Sequence, residues 1–391
     1  MKNQKWIILV CLILITVLLT ADAMAIPAFA RRYKISCSTC HAPFPKLKEY
    51  GEDFAGAGMI LKEEEKERDY ISAGDDILWL NRDFPVGVRF DAYGVYDQDN
   101  PVEGDLQSPW GLKLLSGGTL YKNIGYYFYF YMSERGEVAG VEDAYIHFDN
   151  VFGSNLDVMV GQFQTSDPLM KRELRLSFED YMIYKTRIGS SRTNLAYDRG
   201  VMLVYGIDAT GTELVGLVVN GNGKEEAGSR SSHKFDYDSK KNVGLRINQD
   251  VLGLFSVGGY YYMGAEMDSS QTIQNDITYY GPDFNIGLGP IEVTAQYLIR
   301  EDSDPQLTGD GSVETMGTVV EVVYSPKLDK SRWYLTGLYN AIESDLDIHN
   351  YETATLSGTY LVARNLRLTL EYTRDILNEK NRMVFGMVSG F

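Results

Sequence analysis

The sequence predicts an all-β protein: a transmembrane outer-membrane barrel of about sixteen antiparallel strands, with a small α-helical segment ahead of it. Three observations carry that expectation. Many short segments alternate apolar and polar residues with period two. Tight turns alternate with long polar connections along the chain. The composition, 28 Tyr and 38 Gly but only 11 Pro in 391 residues, favours strands. A mean hydropathy of −0.22 is too polar for a bundle of membrane helices, yet it suits strands that turn every second residue to lipid. With 37 Lys+Arg against 54 Asp+Glu the formal charge is −17, which argues against a nucleic-acid binder. Three cysteines rule out a disulfide-dense scaffold.

In chain order, residues 1–25 read as a secretory signal. Lys2 and Lys5 form a basic start, Trp6 to Thr20 an apolar run, and Ala23-Met24-Ala25 a small-residue cleavage site. The run is short for a spanning helix, which needs about 20 apolar residues. Cleavage after Ala25 removes Cys11 and leaves Cys37 and Cys40 in a chain that starts at Ile26 outside the cytoplasm.

Those two cysteines stand in Cys37-Ser38-Thr39-Cys40-His41, the C-x-x-C-H attachment signature of c-type haem. The chemistry needs this spacing. Two thiols add to the two vinyl groups of one porphyrin, and the adjacent imidazole reaches the iron. A disulfide or a bare metal site would leave the position of His41 unexplained. One such motif predicts one covalent haem c, with Cys37 and Cys40 as attachment points and His41 as proximal iron ligand. Beyond Pro43 and Pro45, Leu47, Tyr50, Gly51, Phe54 and Gly58 recur at helical spacing and supply an apolar face. Gly56 and Gly58 end that helix, and Met59 follows at once. Met59 is the candidate distal iron ligand; His147, on a face with Asp143, Tyr145 and Asp149, is its rival, and five-coordinate iron is the third possibility. The stretch 63–76 is charged and reads as a solvated linker. The haem segment is therefore 26–83.

From Phe84 to Phe391 the chain reads as strands. Val243, Leu245 and Ile247 interleave with Gly244, Arg246 and Asn248; Ile291 to Ile299 and Leu366 to Tyr372 alternate in the same way. Sixteen segments are expected to begin near Phe84, Trp110, Asn123, Val138, Leu156, Arg199, Thr212, Lys241, Leu252, Gln274, Pro290, Val313, Arg332, Asn350, Asn365 and Lys380. Roughly 19 residues per strand and connection leave room for the 9–11 needed to span, and the count is even, as in single-chain bacterial barrels. The chain ends in an apolar alternating strand closed by Phe391. The longest connection, Gln164 to Asp198, contains a predicted helix over 169–184; it either folds into the lumen, with its basic residues toward the haem, or lies solvated outside. Acidic loop residues (Asp97, Asp99, Glu103, Asp105; Glu225, Glu226; Glu301, Asp302, Asp304, Asp310; Glu343, Asp345, Asp347) offer hard ligands for divalent cations, although acidic loops also serve solubility alone.

On Pro27 to Arg31, Tyr33, Cys37 to His41, Pro45, Leu47, Gly51 and Phe54, followed by a porin-like remainder, the sequence resembles the fused outer-membrane cytochrome–porins, which include the monohaem c-type cytochromes of iron-oxidising bacteria. The N-terminal likeness covers about thirty residues; the likeness of the remainder is architectural. The resemblance implies electron transfer across the outer membrane, from extracellular Fe(II) to a periplasmic carrier such as a c-type cytochrome. The long loops are then outside and both termini periplasmic. Two other functions stay open: a diffusion porin with a haem-bearing plug, and electron transfer outward to external acceptors. No nucleophile or metal motif beyond the haem site points to a separate enzymatic pocket.

Overall fold

The computed structural model describes residues 28–61, 78, 84–98, 100–224, 235–236, 238–309 and 311–391. The expected signal (1–25), the charged stretch 63–76, and Asp99, Glu225, Glu226, His233 and Asp310 lie outside the described residues.

Residues 86–390 form one closed antiparallel barrel of sixteen strands, each paired with its sequence neighbours. The strands are β1 (Val86–Asp97), β2 (Gly104–Tyr121), β3 (Ile124–Glu134), β4 (Gly140–Phe148), β5 (Leu156–Phe163), β6 (Asp198–Ile207), β7 (Thr212–Val219) and β8 (Asn242–Val251). They continue as β9 (Phe255–Met267), β10 (Gln274–Leu288), β11 (Ile291–Asp302), β12 (Val313–Tyr324), β13 (Trp333–Ser344), β14 (Tyr351–Ala363), β15 (Leu366–Asp375) and β16 (Lys380–Gly390). β1 closes on β16 in register from Arg89↔Gly390 to Asp97↔Arg382. Phe391 extends the seam: its N–H donates to Val88 O at 2.8 Å and its carbonyl accepts from Val88 N at 2.6 Å.

The burial pattern is inverted relative to a water-soluble protein. On β8, Leu245 is 56% exposed while its neighbour Arg246 is 7% exposed; on β15, Leu370 is 56% exposed while Glu371 is 1% exposed. Apolar side chains face outward and polar ones inward, which is favourable only where the outside is apolar. Exposed rings gather at the tight-turn ends, including Tyr121, Trp333 and Tyr360, with Trp333 paired to Tyr360 across β13 and β14. That is the position of an aromatic girdle. The turns are tight because Gly takes φ values costly for other residues: Gly211 has φ 65° between β6 and β7, and Gly289 has φ 58° between β10 and β11.

Fifteen of the sixteen strands start within three residues of the expected position. The exception is β2, which starts at Gly104 rather than near Trp110. Its early residues alternate poorly, so they read as loop, but they continue the hairpin with β1 from Tyr93↔Gln107 to Tyr96↔Gly104 past a bulge. The predicted helix over 169–184 does not form. The segment holds a 3-10 turn, Arg172–Leu174, and a single α-turn, Met182–Lys185. Its backbone groups are taken by the barrel wall instead: Glu371 accepts from the N–H groups of Phe178 at 2.7 Å and Glu179 at 2.9 Å, and Asn340 donates to Asp180 O at 3.0 Å. Tertiary partners override helix propensity here.

Among the described residues ahead of the barrel are three short helices: α1 (Ala28–Tyr33), α2 (Cys37–Cys40) and α3 (Glu49–Gly56). They sit at the tight-turn mouth of the barrel, against the turn-proximal residues Gly117, Gly125, Glu292, Asp329 and Gly390.

Candidate functional site

The C-x-x-C-H stretch folds as one helical turn. Ser36 caps it, accepting from Ser38 N at 3.3 Å, and His41 N closes it onto Cys37 O at 2.9 Å. One turn puts residues i and i+3 on the same side, so Cys37 and Cys40 share a face. Both are half-buried and free of disulfide. Gly51 of α3 lies directly on this turn: a Cβ there would stand 2.2 Å from Cys40 O, so any larger residue would push α3 away.

The His41 ring is oriented by its own loop. Nδ1 lies 2.7 Å from Pro45 O; a carbonyl only accepts, so Nδ1 carries the proton and Nε2 keeps its lone pair. Burial pulls the imidazole pKa below its ordinary value, against the raising effect of the Pro45 and Lys46 backbone, so His41 is neutral near pH 7. Burial also raises both thiols, which keeps them protonated. Phe44 meets the His41 ring edge-on at 5.2 Å. A neutral imidazole of fixed tautomer, next to two free thiols one turn apart, is the donor set a covalent haem c requires.

The apolar wall is built by α1 and α3. Phe54 packs edge-on against Phe29 at 5.4 Å and Tyr33 at 5.7 Å, and Met59, Ile35, Cys40, Leu61 and Tyr127 complete the cluster. The chain reverses after α3 with Gly58 at φ 69° and Met59 at φ 62°, and Tyr33 donates to Met59 O at 3.3 Å. Met59 therefore shares a cluster with Cys40, but its Sδ lies against the β2 wall, 2.6 Å from where a Cβ on Gly117 would stand. His147 is buried on the inward face of β4, with Gly58 resting on its ring.

Ion pairs and a carbonyl bridge seat this segment in the mouth. Lys46 pairs with Glu292 at 2.5 Å and Glu321 at 3.9 Å, and Lys48 with Asp329 at 2.6 Å. Burial alone would depress the Lys46 pKa, but Glu321 and Glu292 more than offset it and raise it. Phe44 O accepts from Tyr334 Oη and Arg367, both at 3.4 Å, while the Phe44 ring enters a cluster of Tyr93, Val95, Trp110, Val384 and Val388.

The connection 164–198 enters the lumen from the other end. Tyr181, Tyr184 and Leu195 pack against Leu217, Tyr262, Leu298, Val319 and Leu338 of the wall. Glu173 is a hub, accepting from Lys113 at 3.0 Å, Tyr129 at 2.8 Å and Tyr131 at 3.1 Å. Glu179 reaches Arg382 and Tyr351. Three of the basic residues of the connection are engaged internally, Arg172, Arg175 and Lys185 all gathering on Asp180 at 2.7, 3.9 and 3.6 Å. Phe178 joins the same cluster as Phe44, and Arg367 touches both Phe44 O and Leu176 O, so the two insertions meet inside the barrel. The acidic long loops are partly structural: Asp302 is buried in a pair with Arg300 at 2.6 Å, and Asp304 is buried and accepts from the loop's own N–H groups. The wall's buried partners, Lys113, Arg367 and Glu371 above all, carry no motif; the available signal was a charge at an inward position of an alternating strand.

A closed sixteen-strand barrel with an apolar belt and an inserted long connection defines a porin-type fold. Solved structures agree. The anion-selective porin from Comamonas acidovorans matches at TM-score 0.59 with 9% identity, covering 79% of this chain and 99% of that one. Salmonella typhi OmpF, solved in complex with daunomycin, matches at TM-score 0.57 with 10% identity over 79% and 97% of the two chains. The outer membrane channel DcaP of Acinetobacter baumannii matches at TM-score 0.54 with 17% identity over 79% and 97%. At these identities the likeness is one of fold. No family model matches the sequence, and no curated protein matches it.

Proposed function

We propose that this chain is an outer-membrane electron conduit of the cytochrome–porin kind. Residues 26–83 form the cytochrome segment and 84–391 the barrel. One haem c is attached at Cys37 and Cys40, with His41 as proximal iron ligand. Electrons pass from extracellular Fe(II) to a periplasmic carrier, a c-type cytochrome in kind. The observation that carries this reading is His41, whose Nδ1 is committed to Pro45 O at 2.7 Å, leaving a neutral Nε2 beside two free thiols.

When bound, the haem supplies a one-electron redox centre. The chain's own residues do the rest. His41 is held in one tautomer, Phe54, Phe29 and Tyr33 keep water from the site, and Lys46, Lys48, Tyr334 and Arg367 hold the segment in the barrel mouth. Met59 is the candidate distal ligand, and His/Met ligation raises a haem potential relative to two histidines. The apolar belt and closed edge support the outer membrane as location, with tight turns and both termini on the periplasmic side. In whole cells, added protease then cuts within 220–240 and spares the turn at 209–211; the reverse pattern inverts the topology.

The test is a haem stain on a denaturing gel, followed by anoxic stopped-flow mixing of the oxidised protein with Fe(II). The conduit reading expects a stained band and a shifted Soret band. An unstained chain removes the haem, and an unmoved Soret band removes iron as donor.

The porin-type fold favours a second reading, passage of solutes, with the haem segment as plug. Planar-bilayer conductance separates the two. A lumen occupied by 164–198 and the haem segment passes few ions; conductance of open-porin size favours the solute channel.

A further inference from the structure

We propose that His147, Asp149 and Asp157 form a binding site for a single divalent first-row transition-metal ion at the inner rim of the barrel, where the β4–β5 turn meets the N-terminal segment. One ligand atom from each residue lies within 4.8 Å of the others. Metal–ligand bonds of about 2.1 Å set ligands about 3.4 Å apart, so side-chain adjustment of about 1 Å closes the site.

His147 is the independent pointer. It is 4% exposed, and both Nδ1 and Nε2 are buried with no hydrogen-bond partner. Gly58 covers one ring face. Leaving a polar group buried and unpaired is unfavourable, and a bound cation relieves that. Two carboxylates beside the imidazole supply the negative charge. Asp157 also holds the turn, its Oδ1 accepting from Asn150 N at 2.7 Å, which fixes one ligand in place.

The donor set selects the class of ion. Calcium and magnesium prefer all-oxygen sites, whereas one imidazole with two carboxylates suits zinc, ferrous iron, cobalt or manganese. Three protein ligands leave a further position for water. The site is separate from the haem motif: its ligands come from the barrel wall, and it does not depend on Cys37 or Cys40.

The test uses the full-length protein in detergent, stripped with a chelator and dialysed against zinc in excess calcium, which saturates exposed carboxylate clusters. Bound zinc is counted by elemental mass spectrometry, which is blind to haem iron. The expected result is one tightly held equivalent, with affinity at least about tenfold weaker in His147→Ala and in Asp149→Asn. Circular dichroism reports whether each variant is folded, and either folded variant decides the matter alone. Zinc retained equally by wild type and folded variants, or no zinc retained by wild type, overturns the site.

Discussion

Two parts of the chain enter the same barrel from opposite ends, and they are held in different ways. Apart from Phe44, which is held by Tyr334 and Arg367, the N-terminal segment docks at the tight-turn mouth through Lys46–Glu292 and Lys48–Asp329, pairs whose side chains keep 20–50% of their surface in water. The connection 164–198 is held by buried groups: Glu173 takes three donors from β2 and β3, and Tyr181 donates to Glu321 at 2.7 Å. Exposed ion pairs contribute little, about 0–1 kcal/mol each. Breaking one buried partner leaves a desolvated charge and costs about 3–5 kcal/mol. The connection is therefore part of the barrel's interior, whereas the N-terminal segment is a docked unit with its own small core and its own chemistry.

The sharpest separation comes from Cys37→Ala with Cys40→Ala. The haem stain and the Soret band are expected to vanish while the barrel's circular dichroism stays at wild-type level. A stained double variant ends the haem reading. Next in size is Glu173→Ala, which leaves the buried Lys113 with Asp91 at 3.8 Å as its remaining carboxylate. We expect about 3–5 kcal/mol of lost stability and a rise in planar-bilayer conductance as 164–198 loosens. Unchanged conductance and melting would show that the connection does not depend on its hub. Met59→Ala removes a buried side chain from the Tyr33–Phe54 cluster, costing the segment about 2–5 kcal/mol. If Met59 also ligates iron, the weak far-red band of the oxidised haem disappears and the potential falls. Loss of segment stability with an unchanged spectrum assigns Met59 to packing alone.

Lys48→Ala is expected to be milder, about 0.5 kcal/mol, read as slightly faster proteolytic release of the segment. The smallest effect is pH-dependent. The folded His41 pKa lies below its ordinary 6.5, so the undocked state binds the proton first. Docking is then fully stable above about 6.5 and weakens as pH falls below it. Limited proteolysis of the haem-free Cys37→Ala/Cys40→Ala protein, in which no iron holds the ring, should show the trend across that range and lose it when His41→Gln is added.

The strands were legible because lipid outside and polar groups inside impose a strict period of two. Val243 to Asn248 and Leu366 to Thr373 record it directly, down to which residue faces the lumen. The α3 helix was legible through Leu47, Tyr50 and Phe54, and its end through Gly56 and Gly58. The start of β2 was not, since residues 104–108 hold their place by pairing with β1 rather than by their own pattern. The helix expected over 169–184 failed for a related reason: Glu371 and Asn340, nearly two hundred residues away in the case of Glu371, take the backbone groups a helix would have used.

By itself, then, the sequence determined the elements whose cause is local: alternation along each strand, glycine at tight turns, and the one-turn spacing that joins Cys37, Cys40 and His41. Only the tertiary structure decided what fills the barrel and what meets at its rim. Whether 164–198 turns inward depends on Lys113, Arg367, Glu371 and Arg382, which lie on three different strands and reach one lumen only once the sheet has closed. The grouping of His147 with Asp149 and Asp157 depends in the same way on the β4–β5 hairpin folding back, and its cover by Gly58 on the docking of a segment ninety residues earlier in the chain. Local periodicity carries no information about such partners, because their energy comes from burial and pairing between residues far apart in sequence.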